Sequence, residues 1–303
     1  MSIPFSVCFL GMGVMGAPMA LNLQKAGLPP TCFNRTPAAT PGSAPGSAPP
    51  QNSGSQGLSR AIAAGLPTAN RPAAAARGAS VVCLCVTNAP DVESLLFDQG
   101  VAEACADHAL IIDFSTIAPE AAKNIAEKLA AQGKRFLDAP VSGGDIGAEK
   151  GTLTVMAGGA PEDFAQARPV FEAVGQNIHH CGPVGSGQAV KACNQVLCAL
   201  HMVGLCEAFT LAKQTDIDPQ LIIEICSTGA AGSWALSNLG PRICQDELDQ
   251  GFAIDLLLKD LGIVHSAGAN LPGTQLAQTL LEKARDRSTS HQPATQAMIK
   301  AYP

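Results

Sequence analysis

Residues 5–25, FSVCFLGMGVMGAPMALNLQK, decide the fold. Phe5 to Leu10 is a short apolar run that reads as a strand, and Met15 to Lys25 carries apolar residues at helical spacing. Between them Gly11, Gly13 and Gly16 make GxGxxG. The first glycine permits a tight turn out of the strand, the second lets a pyrophosphate approach the backbone, and the third lets the helix lie close to the strand. The N-terminus of such a helix offers unpaired N–H groups to phosphate oxygens. Gly11, Met12, Gly13, Val14, Met15 and Gly16 are therefore the expected pyrophosphate contacts. In a chain with 30 glycines the pattern alone is weak, and its place at the first strand–helix junction gives it weight.

The next strand, Thr31 to Asn34, bears on which dinucleotide is bound. A site for NAD offers Asp or Glu about 20 residues past the glycines, to bond the ribose 2′-hydroxyl. Here the strand ends in Phe33-Asn34-Arg35-Thr36, with no acid. Arg35 can pair with a 2′-phosphate and stack on the adenine, while Asn34 and Thr36 supply further hydrogen bonds. NADPH (NADP) is expected in preference to NAD.

Further along, Val81–Val86, Leu110–Phe114 and Arg135–Leu137 repeat the strand pattern, with helical stretches such as Pro119–Gln132 between them. Strands alternating with helices imply a doubly wound, mostly parallel sheet. Thr152–Met156 and Asn177–His180 add strands to it. After Gly187 only helical patterns appear: Ala189–Lys213, Pro219–Cys226, Asp255–Ala267 and Gln275–Arg285. The expected fold class is α/β, a dinucleotide-binding domain of residues 1–182 followed by an all-helical domain of residues 183–303, divided near Gly182-Pro183-Val184-Gly185. Residues 37–56, PAATPGSAPGSAPPQNSGSQ, hold no charge and no aromatic ring, and read as a flexible surface loop.

Composition excludes several classes. A chain of 303 residues with 47% hydrophobic and 15% charged residues is globular. A net charge of -6, with 19 scattered Lys and Arg residues, argues against nucleic acid as a partner. The N-terminus lacks the charged region of a signal peptide, and the apolar stretch from Val196 to Phe209 is broken by His201, Gly204 and Glu207, so no membrane span is expected. Eleven cysteines without a CxxC pair read as reduced thiols of a cytoplasmic protein. No metal site is expected: His179, His180 and Cys181 have no third partner at ligand spacing. The long apolar helix at 189–213, with its small residues, suits packing between subunits of a homo-oligomer.

Five blocks stand in order: GMGVMGAPMALNL (11–23), NRTP (34–37), DAPVSGGDIGAEKGTLTVMAGG (138–159), GPVGSGQAVKACNQ (182–195) and GFAIDLLLKDL (251–261). Together they resemble the β-hydroxyacid dehydrogenases, the family of 3-hydroxyisobutyrate dehydrogenase and tartronate semialdehyde (2-hydroxy-3-oxopropionate) reductase. The resemblance covers nearly the whole chain apart from residues 37–56, and it implies an active site between the two domains. It implies that Thr87 and Asn88 line the cofactor path, that Thr116 faces the nicotinamide, and that Lys259 contacts the cofactor end of the cleft. Ser142, Gly143 and Gly144 would form a turn that aims N–H groups and a hydroxyl at a substrate carboxylate. Lys191 would transfer the proton, oriented by Asn194 one helical turn away, with Gln195 beside it. Trp234 is core by default, yet lies in a segment resembling the family's substrate-pocket wall.

The activity so implied is NADPH-dependent reduction of a small carboxylated aldehyde, such as tartronate semialdehyde or glyoxylate, to the hydroxy acid. Asn194-Gln195 in place of a double asparagine leans toward tartronate- or glyoxylate-type members. NAD-dependent oxidation of 3-hydroxyisobutyrate is the nearest alternative, opposed by Arg35. A non-catalytic dinucleotide-binding protein is a further one, opposed by Lys191 and Asn194.

Overall fold

The computed structural model describes residues 5–38, 54–268 and 270–303. It divides into two compact units, Met1–Lys191 and Ala192–Pro303.

The first unit runs β1 (Val7–Leu10), α1 (Gly16–Lys25), β2 (Thr31–Phe33), α2 (Gly54–Ala63), α3 (Pro72–Ala76), β3 (Val81–Leu84) and α4 (Ala89–Glu93). A π-helical turn (Ser94–Asp98), α5 (Val101–Ala104), β4 (Leu110–Asp113), α6 (Pro119–Ala130), β5 (Arg135–Asp138) and β6 (Val141–Ser142) follow. Then come α7 (Gly144–Lys150), β7 (Leu153–Gly158), α8 (Pro161–Val174), β8 (Gly175–Gly182) and the start of α9 (Ser186–Gln214).

Eight strands form one sheet in the order β2-β1-β3-β4-β5-β7-β6, with β8 also paired to β7. Neighbours from β2 to β5 are parallel, as is the β7–β8 pair, while β7 runs antiparallel to β5 and β6. The central strands VCFL, VVCL and LIID are buried along their whole length, as parallel strands covered on both faces must be. Side chains alternate between two cores: Phe9, Met19, Phe114 and Phe171 on one face, Leu10, Leu84, Ile111 and Ile125 on the other. The strand order reverses at β1, which has β2 on one side and β3 on the other. The C-terminal ends of β1 and β3 therefore flank the topological switch point, where open α/β sheets bind their ligands.

The low-complexity reading extends too far in one direction. Gly54, Ser55 and Gln56 are the first residues of α2, and Ser55 is buried. Their small polar composition hid a helix whose apolar residues Leu58 and Ala61 turn one side into the core. Residues 39–53 of the expected loop lie outside the described residues.

The second unit holds the rest of α9, α10 (Pro219–Cys226), α11 (Trp234–Asn238), α12 (Gly240–Cys244), α13 (Ile254–Ser266), α14 (Pro272–Arg287) and a 3-10 helix (Thr295–Ala301). Its core gathers Met202, Cys206, Phe209, Leu257, Leu261, Leu281 and Met298. α10 starts at Pro219 because Asp218 caps it, its carboxylate accepting the Gln220 N–H at 2.9 Å, and because proline suits the first helical position. α9 is longer than the apolar stretch read from the sequence. Its 29 residues, with a mean hydropathy of 1.5 over the best window, are enough by length and composition to cross a membrane. Ala199, Met202, Val203, Cys206 and Phe209 instead turn one face of it into the unit's own core, as a core helix does.

Candidate active site

The glycine turn after β1 differs at each of its three glycines. Gly11 has φ +97, and a side chain there would meet the Cys85 carbonyl oxygen at 2.2 Å. A Cβ on Gly16 would stand 1.9 Å from the Gly11 oxygen, so α1 begins in backbone contact with the turn. A Cβ on Gly13, by contrast, would meet nothing within 4 Å beyond its chain neighbours. Two positions are thus closed by packing and one is open, the pattern a pyrophosphate cradle requires.

Backbone bonds from Gly11 N–H to Phe33 O (3.0 Å) and from Cys85 N–H to Leu10 O (2.9 Å) hold the turn between β2 and β3. Asn34 accepts the Met12 N–H at 2.9 Å and donates to Thr36 O at 2.9 Å, so its side chain shapes the turn. Val14 and Met15 follow on the way into α1.

Sequence reasoning missed Gly57. Its Cβ would stand 1.9 Å from Met12 O, so α2 rests directly on the glycine turn. Beside it a cleft of about 290 Å³ is lined by Gly13, Val14, Gln56, Arg60, Glu149 and Lys150. Arg60 spans the cleft to Glu149 with bonds of 2.7 and 2.9 Å and holds that carboxyl below its usual range. Nothing in the sequence signals that α2 and α7 meet.

Arg35, at the end of β2, is 82% exposed, with one guanidinium nitrogen 3.0 Å from Asp91 Oδ1. Asp91 belongs to the first turn of α4, which Asn88 caps by accepting the Asp91 N–H at 2.9 Å. Thr87 precedes this cap and is exposed.

The loops after β3 and β4 are tied through Ser115, whose hydroxyl accepts the Val86 N–H at 2.9 Å and whose carbonyl accepts from Gln188 at 2.8 Å. Thr116, next along the chain, is half-buried. Asp138 anchors the N-terminus of α9: its carboxylate accepts N–H bonds from Gly185 (2.7 Å) and Gln188 (2.9 Å). Burial pushes this carboxyl up, and the N–H bonds pull it back in part.

That anchor fixes Lys191 one turn further on. Lys191 is only 7% exposed, and its Nζ donates to Val141 O at 2.9 Å. Val141 directly precedes Ser142, Gly143 and Gly144, where φ values of +131 and +65 at the two glycines turn the chain from β6 into α7. The structure thus brings together Lys191 and the small-residue turn, two motifs from separate blocks.

In the helical unit, Asn194 donates to Gln195 Oε1 at 2.8 Å and to Cys198 Sγ at 3.4 Å. Gln195 in turn donates to Asp260 at 2.5 Å, and Lys259 Nζ lies 3.0 Å from the other oxygen of that carboxylate. Asp260, 3% exposed, joins Gln195 to Lys259. Its only sequence signal was its place beside Lys259. Trp234, expected in the core by default, is 55% exposed as the first residue of α11. Among the described residues no three His, Cys, Asp or Glu side chains group as a metal site.

Comparison with known proteins places the chain in a family. Residues 6–182 match the family model of the NAD binding domain of 6-phosphogluconate dehydrogenase. Residues 185–302 match that of the NAD-binding domain of NADP-dependent 3-hydroxyisobutyrate dehydrogenase. The chain is 44% identical to an uncharacterized oxidoreductase of Synechocystis, over 98% of this chain and 97% of that one. It is 38% identical to the 3-hydroxyisobutyrate dehydrogenase of Pseudomonas aeruginosa, over 95% of this chain and 92% of the relative. A solved 3-hydroxyisobutyrate dehydrogenase of Salmonella typhimurium superposes with a TM-score of 0.83 at 28% identity, covering 98% of this chain and 100% of that one. With its glycine cradle at the switch point, its helical second unit and these matches along nearly its whole length, the chain belongs to the β-hydroxyacid dehydrogenase family of NAD(P)-dependent oxidoreductases.

Proposed function

We propose that the chain is an NADPH-dependent reductase of a small carboxylated aldehyde, such as tartronate semialdehyde, glyoxylate or a related semialdehyde, and that Lys191 transfers the proton. The observation that carries this reading is the buried Lys191 Nζ, 2.9 Å from Val141 O and so beside the Ser142-Gly143-Gly144 turn. A nicotinamide bound at the switch point would supply the hydride for the carbonyl carbon. Lys191 Nζ donates its proton to the carbonyl oxygen as charge develops there, and solvent restores that proton afterwards. Ser142 Oγ and the N–H groups of Gly143 and Gly144 hold the substrate carboxylate, and Asn194 orients the lysine from the next turn of α9.

Gly11 to Gly16 cradle the pyrophosphate, Asn34, Arg35 and Thr36 take the adenosine end, and Thr87, Asn88 and Thr116 line the path of the nicotinamide half. Lys259, held by Asp260, is the helical unit's candidate for the cofactor, and Gln195 and Trp234 are its candidates for the substrate. Preference for NADPH rests on Arg35, since the end of β2 has no acid. We also infer a homo-oligomer assembled through the exposed face of α9, and a cytoplasmic setting in keeping with 11 cysteines that form no disulfide.

Oxidation of 3-hydroxyisobutyrate with NAD is the second reading, favoured by the Asp91 carboxylate that stands against Arg35. Steady-state assays decide between them, with a panel of semialdehydes, glyoxylate and 3-hydroxyisobutyrate, each with both cofactors. The first reading expects the highest kcat/KM for a semialdehyde with NADPH. The highest kcat/KM for 3-hydroxyisobutyrate with NAD would replace it with the second.

A further inference from the structure

We propose that Asp91 is a specificity-determining residue for the cofactor: it is the acid that the end of β2 lacks, it restrains the preference for a 2′-phosphate, and it keeps the unphosphorylated dinucleotide usable. The inference rests on the reading of Arg35 as the 2′-phosphate contact. Asp91 lies 56 positions beyond Arg35 in sequence, yet its Oδ1 is 3.0 Å from the guanidinium. The fold makes this meeting, because β2 and β3 flank β1 and the segments leaving their C-terminal ends are neighbours.

Asp91 is the fixed member of the pair. Its backbone N–H is held by Asn88 in the first turn of α4, and its side chain is 27% exposed against 82% for Arg35. So open an ion pair adds little to stability, and Asp91→Asn is expected to fold as the parent does.

Two chemical consequences follow from a carboxylate at this place. A guanidinium has five N–H donors, so Arg35 can hold Asp91 and still face a phosphate. The phosphate then sits close to a like charge, and the repulsion weakens NADPH without touching NADH. A ribose 2′-hydroxyl, by contrast, donates to a carboxylate, which is how acids select the unphosphorylated form. Both effects lower the discrimination that Arg35 alone would give.

The test is calorimetric titration of the parent, Asp91→Asn and Arg35→Ala chains with NADP and NAD, which needs no turnover. Asp91→Asn is expected to raise the ratio of NADP to NAD affinity by about threefold to tenfold, the worth of one partly screened like charge. Arg35→Ala is expected to lower that ratio by about tenfold to a hundredfold. If Arg35→Ala lowers the ratio while Asp91→Asn leaves it unchanged or lowers it too, the role of Asp91 is overturned and the NADPH reading stands. If Arg35→Ala changes both affinities equally, the phosphate reading itself falls, and the inference with it.

Discussion

At Gly13 and Gly16 the same substitution has opposite physical consequences, because a methyl group meets nothing within 4 Å at the first and a backbone oxygen at 1.9 Å at the second. Gly13→Ala is expected to melt at the parent temperature, since the added Cβ enters open space. It should bind dinucleotide at least about tenfold more weakly, because that space is where a pyrophosphate would approach the backbone. Gly16→Ala must push α1 away from the turn and is expected to lose about 1–3 kcal/mol of stability, as overpacked sites do. Thermal melts paired with dinucleotide titrations check both. Equal melting temperatures and equal affinities for the two variants would show that the turn is not the tight cradle described. The glycines were legible in the sequence because their roles are local. Asp91 and Asp260 were not, since each acts through a partner: Arg35 lies 56 positions from Asp91, and Gln195 lies 65 from Asp260. Trp234 left two readings open in the sequence, core or substrate-pocket wall, and its 55% exposure at the start of the short helix α11 removes only the first.

Among elements, the strands β1, β3 and β4 were legible as continuous apolar runs, and α10 was bounded by its capping aspartate and proline. β6 and α7 escaped notice, because a strand of two residues and a helix opening Gly144-Asp145-Ile146-Gly147 have too little periodicity to register. α2 was hidden by its Gly-Ser-Gln start. The element that matters most for Lys191 is the first turn of α9, held by Asp138 through the Gly185 and Gln188 N–H groups. An asparagine at 138 has one acceptor oxygen and an amide group where two donors converge, so one buried N–H loses its partner. Asp138→Asn is expected to cost about 1–3 kcal/mol of stability, the penalty of an unsatisfied buried donor. It should also lower kcat more than it weakens dinucleotide binding, because the glycine turn lies elsewhere in the sheet. Urea unfolding and steady-state kinetics check this. An unchanged kcat would separate the anchor from the chemistry.

For the whole molecule, the division into a sheet unit and a helical unit followed from where strand patterns stop, and the family from five short blocks. Assembly is a matter of surface. Leu197 and Leu211 are 57% and 60% exposed on α9, an apolar display that suits burial against a second copy. Leu211→Glu is expected to lower the molar mass in solution, read by sedimentation velocity at several concentrations. A parent chain that is already monomeric would remove the oligomer from the account. The claim that joins the fold to a reaction is proton delivery by Lys191, and single-turnover NADPH oxidation with saturating semialdehyde tests it most directly, alongside a binding titration of Lys191→Ala. Alanine is the better helix former and leaves the glycine turn untouched, so fold and dinucleotide affinity are expected to persist. The chemical step is expected to fall by about 100-fold to 10,000-fold, the usual worth of a positioned acid–base group. An alanine chain that keeps more than about a tenth of the parent rate, far above that expected loss, would contradict the assignment of the proton to Lys191.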